Sequence, residues 1–224
     1  MKTMSTARTF GTNTAALLCA LFLCTVALTG CQKEEDAEEE VDPTTNAGQV
    51  SITDGSIVKM NVNGTTITLQ VGGGIAEIFD SGISGGPPPD TSAAVYLAGF
   101  KNGTDTLFAL RMGTLHFLGS VPSTAEFQDF FAPGTRVLDE PDFGADGVSM
   151  QWWNSNGEWF GTSCGVGGES GSFGITHIAH QQIGQEFFTK IRAVFSGTFR
   201  SCDGLNGDQT ITDGVLVLRF KNQP

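Results

Sequence analysis

The sequence predicts an all-β fold, an antiparallel β-sandwich of about ten strands. Three observations carry that prediction. Apolar and polar residues alternate with a period of two through much of the chain after Gly48. Asn-Gly and similar turn formers separate the alternating runs. Glycine is abundant, at 30 of 224 residues, and nothing reads as a long amphipathic helix.

The elements follow in order. Ile57 to Val62, then Asn63-Gly64, then Thr65 to Val71 is two β-rich runs joined by the strongest short hairpin turn. Ile67, Leu69 and Val71 alternate with Thr66, Thr68 and Gln70, which makes one face oily and one wet. Val95 to Phe100, a turn at 101–104, and Thr106 to Met112 repeat the pattern. Val148 to Trp153, a turn at 154–157, and Glu158 to Ser163 form a third hairpin. Phe173 to Gln182, Phe187 to Arg200 and Gln209 to Phe220 complete the set. In the penultimate run Ile191, Ala193, Phe195 and Phe199 share one face, and Arg192, Ser196, Thr198 and Arg200 share the other. Antiparallel sheets of this kind keep one face in the core and one in water, so Arg192 is expected in solvent. Residues 81–91, with Pro87 to Pro89, and 122–147 read as loops, with one short helical turn at 124–131. The strand count suits an immunoglobulin-like or jelly-roll-like sandwich.

The first 47 residues are different. Lys2 and Arg8 precede any acid, and Ala15 to Leu28 is uncharged and almost wholly apolar. This is the pattern of a secretory signal peptide over residues 1–30. The apolar run is shorter than the ~20 residues of a spanning helix. Leu28-Thr29-Gly30-Cys31 resembles the lipobox of bacterial lipoproteins. That resemblance implies cleavage before Cys31 and lipid on its thiol. Gln32 to Asp42 then holds seven acids and one lysine, a composition that cannot bury enough apolar surface to fold. Residues 31–47 therefore read as the lipidated cysteine and a disordered tether, which stretches about 50 Å at ~3.3 Å per residue. "CQKEED" looks like the acidic signal that carries Bacteroidota lipoproteins to the outer face of the outer membrane. A periplasm-facing outer-membrane lipoprotein is the alternative location.

Residues 48–224 make one domain. Its ending, "IRAVFSGTF" at 191–199 and "TITDGVLVLRF" at 210–220, resembles the closing strands of small Bacteroidota β-sandwich lipoproteins of unknown function. The resemblance implies a fold and a location and lends no catalytic residues.

The chain carries a formal net charge of −12, and it has no basic stripe of the kind nucleic acid requires. Of five cysteines, two precede Cys31, which leaves Cys164 and Cys202 to pair as a disulfide in an oxidising compartment. Ser84 and Ser163 both sit in G-x-S-x-G, but glycine-rich or proline-rich loops follow them where a nucleophile elbow needs a helix. His177 and His180, three apart in a strand, point to opposite faces, and His116 is distant in sequence. Asp139, Asp142 and Asp146 in one loop and Asp203 and Asp208 in another could donate oxygens to calcium; ordinary turn chemistry explains them equally. No other cofactor is expected beyond the lipid on Cys31.

All three tryptophans, Trp152, Trp153 and Trp159, lie in "QWWNSNGEWF" at 151–160. One of the first two faces the core and the other faces out. A loop of 154–157 would pair Trp152 with Trp159, and a turn at Asn156-Gly157 alone would pair Trp153 with Phe160. An outward tryptophan beside Asn, Gln and Glu could stack on a sugar ring; cross-strand packing is the simpler use. Asp105-Thr106-Leu107 resembles the short O-glycosylation motif of exported Bacteroidota proteins, and Asn63-Gly-Thr and Asn102-Gly-Thr read better as turns than as glycan acceptors. The sequence thus describes a surface-exposed, lipid-anchored, non-catalytic binding or interaction module, with a glycan or a surface protein as candidate partner. The alternatives are a glycan-binding lipoprotein of a nutrient-capture system and a metal-dependent enzyme on a β-sandwich.

Overall fold

A computed structural model describes residues 45–85, 91–138, 147–164 and 170–222. The expected signal peptide, Cys31 and the acidic run lie outside the described residues, as do Asp139, Asp142 and Asp146. The described chain holds eleven strands and one short α-helix.

The strands form two antiparallel sheets that run into one another. The first contains β6 (Gly134–Arg136), β9 (Gly171–Ile183), β10 (Glu186–Ser201), β11 (Gln209–Asn222), β1 (Ile57–Val62) and β2 (Thr65–Gln70), in that spatial order. The second contains β3 (Ile75–Ser84), β4 (Thr91–Asn102), β5 (Asp105–Leu118), β7 (Gly147–Trp153) and β8 (Trp159–Gly161). The end of β10 outruns β9, and its Arg200 and Ser201 pair with Gly161 and Phe160 of β8. Val137, just past β6, accepts the amide of Val148 in β7 at 2.9 Å. These two joins curl the sheets into a half-barrel, the sandwich-like all-β fold that the alternation predicts.

Most connections are hairpins, and the turn residues dictate them. Asn63 and Gly64 both take positive φ (48° and 85°), as a two-residue primed turn requires, and Val62 faces Thr65 across it. The long-range closure is β1 against β11, which brings Ile57 opposite Val217. Gly214 of β11 lies hard against Phe195 of β10; a Cβ there would come within 2.6 Å of the Phe195 carbonyl oxygen.

One strand was not legible in the sequence. Residues 75–84 form β3, and the expected loop at 81–91 gives way to strand at both ends. No β3 side chain is fully buried, so its alternation is muted. The expected helical turn is α1 (Thr124–Phe130). Ser123 caps it, accepting the Glu126 amide at 3.2 Å, while the Glu126 carboxylate accepts the Ser123 amide at 2.8 Å. The Ser123 hydroxyl also donates to that carboxylate at 2.7 Å, and this bond, followed by the one from the Ser123 amide, holds the Glu126 carboxyl below its usual range. The helix delivers Phe127, Phe130 and Phe131 onto the Tyr96 ring, with centroids 5.2, 5.8 and 5.8 Å away. Phe131 continues to Phe220 at 4.7 Å, and Phe108 meets Phe195 across the sheets at 6.4 Å. This aromatic layer is the centre of the core.

The expectation for Arg192 is corrected. Ile191, Ala193, Phe195 and Phe199 do enter the core, but on the opposite face Lys190 and Arg192 are buried too, while Ser196, Thr198 and Arg200 are half-buried. Residues 45–56 lie across it as a strap. Arg192 is only 6% exposed and clamps the strap from beneath. Its Nε donates to Val50 O at 2.8 Å, and its two terminal nitrogens donate to Ala47 O and Thr176 Oγ1, each at 2.6 Å. Two residues back, Lys190 donates to Asp54 O. Val50 itself is buried on Val215 and Val217. The strap is a third layer over part of the first sheet, and period-two alternation cannot reveal it.

Arg192→Met keeps the apolar stem and removes every donor. It should lower the free energy of unfolding in urea by about 2–4 kcal/mol, because buried carbonyls lose their partners. Limited proteolysis should then cut within residues 45–56 before any other described segment.

Candidate functional site

The β7–β8 hairpin carries all three tryptophans, and its register differs from both sequence expectations. Trp153 faces Trp159 and Trp152 faces Phe160. The reason is the connection, which spans five residues, 154–158, with Asn154 N–H donating to Glu158 O at 3.0 Å. Asn154 builds that loop. Its Oδ1 accepts the amides of Asn156 and Glu158, both at 2.9 Å, and its Nδ2 donates to the Glu158 carboxylate. Gly157 completes the turn at φ 78°.

The register divides the tryptophans between two jobs. Trp152 is 6% exposed and stacks on Phe160 at 5.5 Å inside the core, so it leaves the set of possible ligand contacts. Trp153 and Trp159 stack on the outside at 5.6 Å, within 6° of parallel, and Trp159 is 39% exposed. Beside them opens a cleft of about 540 Å³. Its walls are Trp153, Asn154 and Ser155 from this hairpin and Asp105, Thr106 and Leu107 from the start of β5. Among its described lining residues no lysine, arginine or histidine appears. The cleft offers an indole face, hydroxyls and a carboxylate, the groups that take an apolar ring face and its hydroxyl edge.

The hairpin is braced from behind. Cys164, just past β8, is disulfide-bonded to Cys202, 38 residues on, as the sequence predicts. Cys202 N–H donates to Trp159 O at 2.9 Å, and Thr162 Oγ1 accepts the Met150 amide at 3.0 Å. Gly161 leaves room for the bridge, since a Cβ there would sit 2.9 Å from Cys164 Sγ.

The other candidates remain apart. Asp203 accepts Ser201 Oγ at 2.5 Å and the Leu205 amide at 2.9 Å, and these bonds lower its pKa. It is a turn residue, and Asp208 lies in an exposed stretch of the same loop. Among the described residues no three His, Cys, Asp or Glu side chains gather as a metal cage. His177 lies opposite Arg192 on β9, His180 bonds Thr189 Oγ1 at 3.1 Å, and His116 is exposed on β5. Ser84 ends β3 and Ser163 lies in the turn after β8. No described helix is long and apolar enough to cross a membrane.

No protein-family model matches this chain, and no curated protein or solved structure shows significant similarity to it.

Removing the bridge with Cys164→Ala and Cys202→Ala together should cost about 4 kcal/mol on a loop-closure basis. It should also raise the solvent quenching of tryptophan fluorescence under conditions where the domain is still folded, because Trp159 loses its brace. Unchanged quenching would mean that the hairpin holds itself.

Proposed function

We propose that the protein is a non-catalytic binding module, held at the outer membrane by lipid on Cys31, that takes carbohydrate at the Trp153–Trp159 hairpin. The observation that carries the ligand site is the outward, stacked and nearly parallel tryptophan pair, of which Trp153 lines a cleft of about 540 Å³. Cross-strand stacking of the two indoles supports the hairpin by about 0.5–1.5 kcal/mol, and that role does not require Trp153 in the wall of a cleft. A sugar ring offers the complement, with C–H groups for the indole and hydroxyls for Asp105, Thr106 and Ser155. The lipid anchor and the outward location rest on the lipobox and the acidic run after Cys31.

Two experiments separate the parts of this reading. Glycan-array binding of the purified protein should fall at least about tenfold in Trp153→Ala and in Trp159→Ala, whereas Trp152→Phe should lower the melting temperature and leave binding intact. Equal binding by all three variants would remove the hairpin as the site. For the anchor, Cys31→Ala should abolish incorporation of labelled lipid, and replacing residues 33–40 with Ala and Ser should hide the protein from protease added to whole cells.

A further inference from the structure

The cleft beside Trp153 is one-sided in charge. Asp105, the first residue of β5, lines it. The Asp105 Oδ1 accepts the Thr104 hydroxyl at 3.3 Å, a neutral donor, and among the described residues no cation pairs with this carboxylate. Lys101 faces Thr106 across the β4–β5 ladder, yet it forms no ion pair with Asp105 and is not part of the wall. A second acid stands in the hairpin loop. Glu158 accepts Asn154 Nδ2, again a neutral donor, so its charge sits one side chain behind the wall.

The Asn154 amide is committed at both ends to the loop. The groups left to select a ligand are the Asp105 carboxylate, the Thr106 and Ser155 hydroxyls and the Trp153 indole. An exposed carboxylate alone selects weakly, because water screens it. Here an indole shares the wall with it, and the π face of an indole also attracts an ammonium. The chain's net charge of −12 adds a field that draws cations and repels anionic glycans.

We propose that this cleft selects amino sugars that carry a free ammonium, as in a deacetylated aminoglycan. The ammonium meets Asp105, the C–H face of the ring lies on Trp153, and the ring hydroxyls meet Thr106 and Ser155. N-acetylation removes the selected charge, and a uronic acid inverts it. The assignment rests on the carbohydrate reading of the hairpin and narrows it to cationic sugars. At about 540 Å³ the cleft falls within the ~300–1,000 Å³ of small-molecule sites, which leaves room for more than one ring.

Calorimetric titration of the purified protein at about pH 5.5, where carboxylates are ionised and amines are protonated, tests the proposal. The probes are glucosamine, N-acetylglucosamine and galacturonate oligosaccharides of equal length, and a lysine oligopeptide. The glucosamine form should bind at least about fivefold more tightly than the acetylated form, and added salt should shrink that preference. The galacturonate form and the lysine peptide should bind more weakly than the glucosamine form. Asp105→Asn should reduce the preference to less than about twofold while Asp105→Glu retains it, a contrast that misfolding cannot imitate. Equal binding of the glucosamine and acetylated forms, full preference in Asp105→Asn, or a lysine peptide that binds as well as the cationic sugar would each overturn the assignment. If the two forms bind equally and Trp153→Ala abolishes both, only the ammonium preference falls. If no oligosaccharide binds, the carbohydrate reading falls with it.

Discussion

The fold depends on the double burial of β10. This strand is 16 residues long, and it pairs with β9 on one side, with β11 on the other, and with β8 at its end. One face drives Ile191, Ala193, Phe195 and Phe199 into the core. The opposite face presents Lys190 and Arg192, which cannot be buried without acceptors. The acceptors come from the backbone of the strap, at Ala47, Val50 and Asp54. Carbonyl groups belong to every residue, so the clamp constrains the path of the strap far more than its sequence. The strap in turn covers Val215 and Val217 with Val50, and gives the first sheet a dry outer patch that a two-layer sandwich would lack.

What could be read from the sequence follows the range of the interaction concerned. Hairpins are local, and Asn63-Gly64 announces its turn without help from the rest of the chain. The capping box of α1 is likewise written within Ser123 to Glu126. The strap is not local, because Arg192 and Ala47 are 145 positions apart. Nothing in the alternation around Arg192 tells a solvated arginine from one covered by a distant segment. β3 was missed for a related reason: its burial comes from Arg219, Phe188 and β4, not from a clean alternating face of its own.

The tryptophan hairpin was half legible. That one of two adjacent tryptophans must be core and the other outward is a property of any strand. Which one pairs with Trp159 turns on the loop, and Asn154 decides that by accepting two amides through its side chain. A side chain acting as a backbone surrogate lengthens the loop to five residues, and moves the register by one position relative to either simple turn. The same step sends Trp152 inward and gathers the exposed aromatic surface on Trp153 and Trp159.

The strap lies on the first sheet and the tryptophan hairpin on the second. For a chain held at Cys31, tension enters the domain at the start of the strap. Near the start of the described residues Asn46 is tied to β11: its backbone amide donates to Asp213 Oδ2 at 2.8 Å and its side chain to Asp213 O at 2.9 Å. Arg192 and Lys190 take up the next positions, so the load passes into β11 and β10, a ladder of twelve residue pairs. The hairpin belongs to the second sheet, where β8 meets β10 through two residue pairs and the Cys164–Cys202 bridge lies beside them. A pull on the tether is therefore spread over buried cations and a long ladder before it reaches the loop that positions Trp159. For the lipid-held binding module proposed above, that order of attachment would put the strong clamp at the leash and the ligand contacts behind a covalent brace.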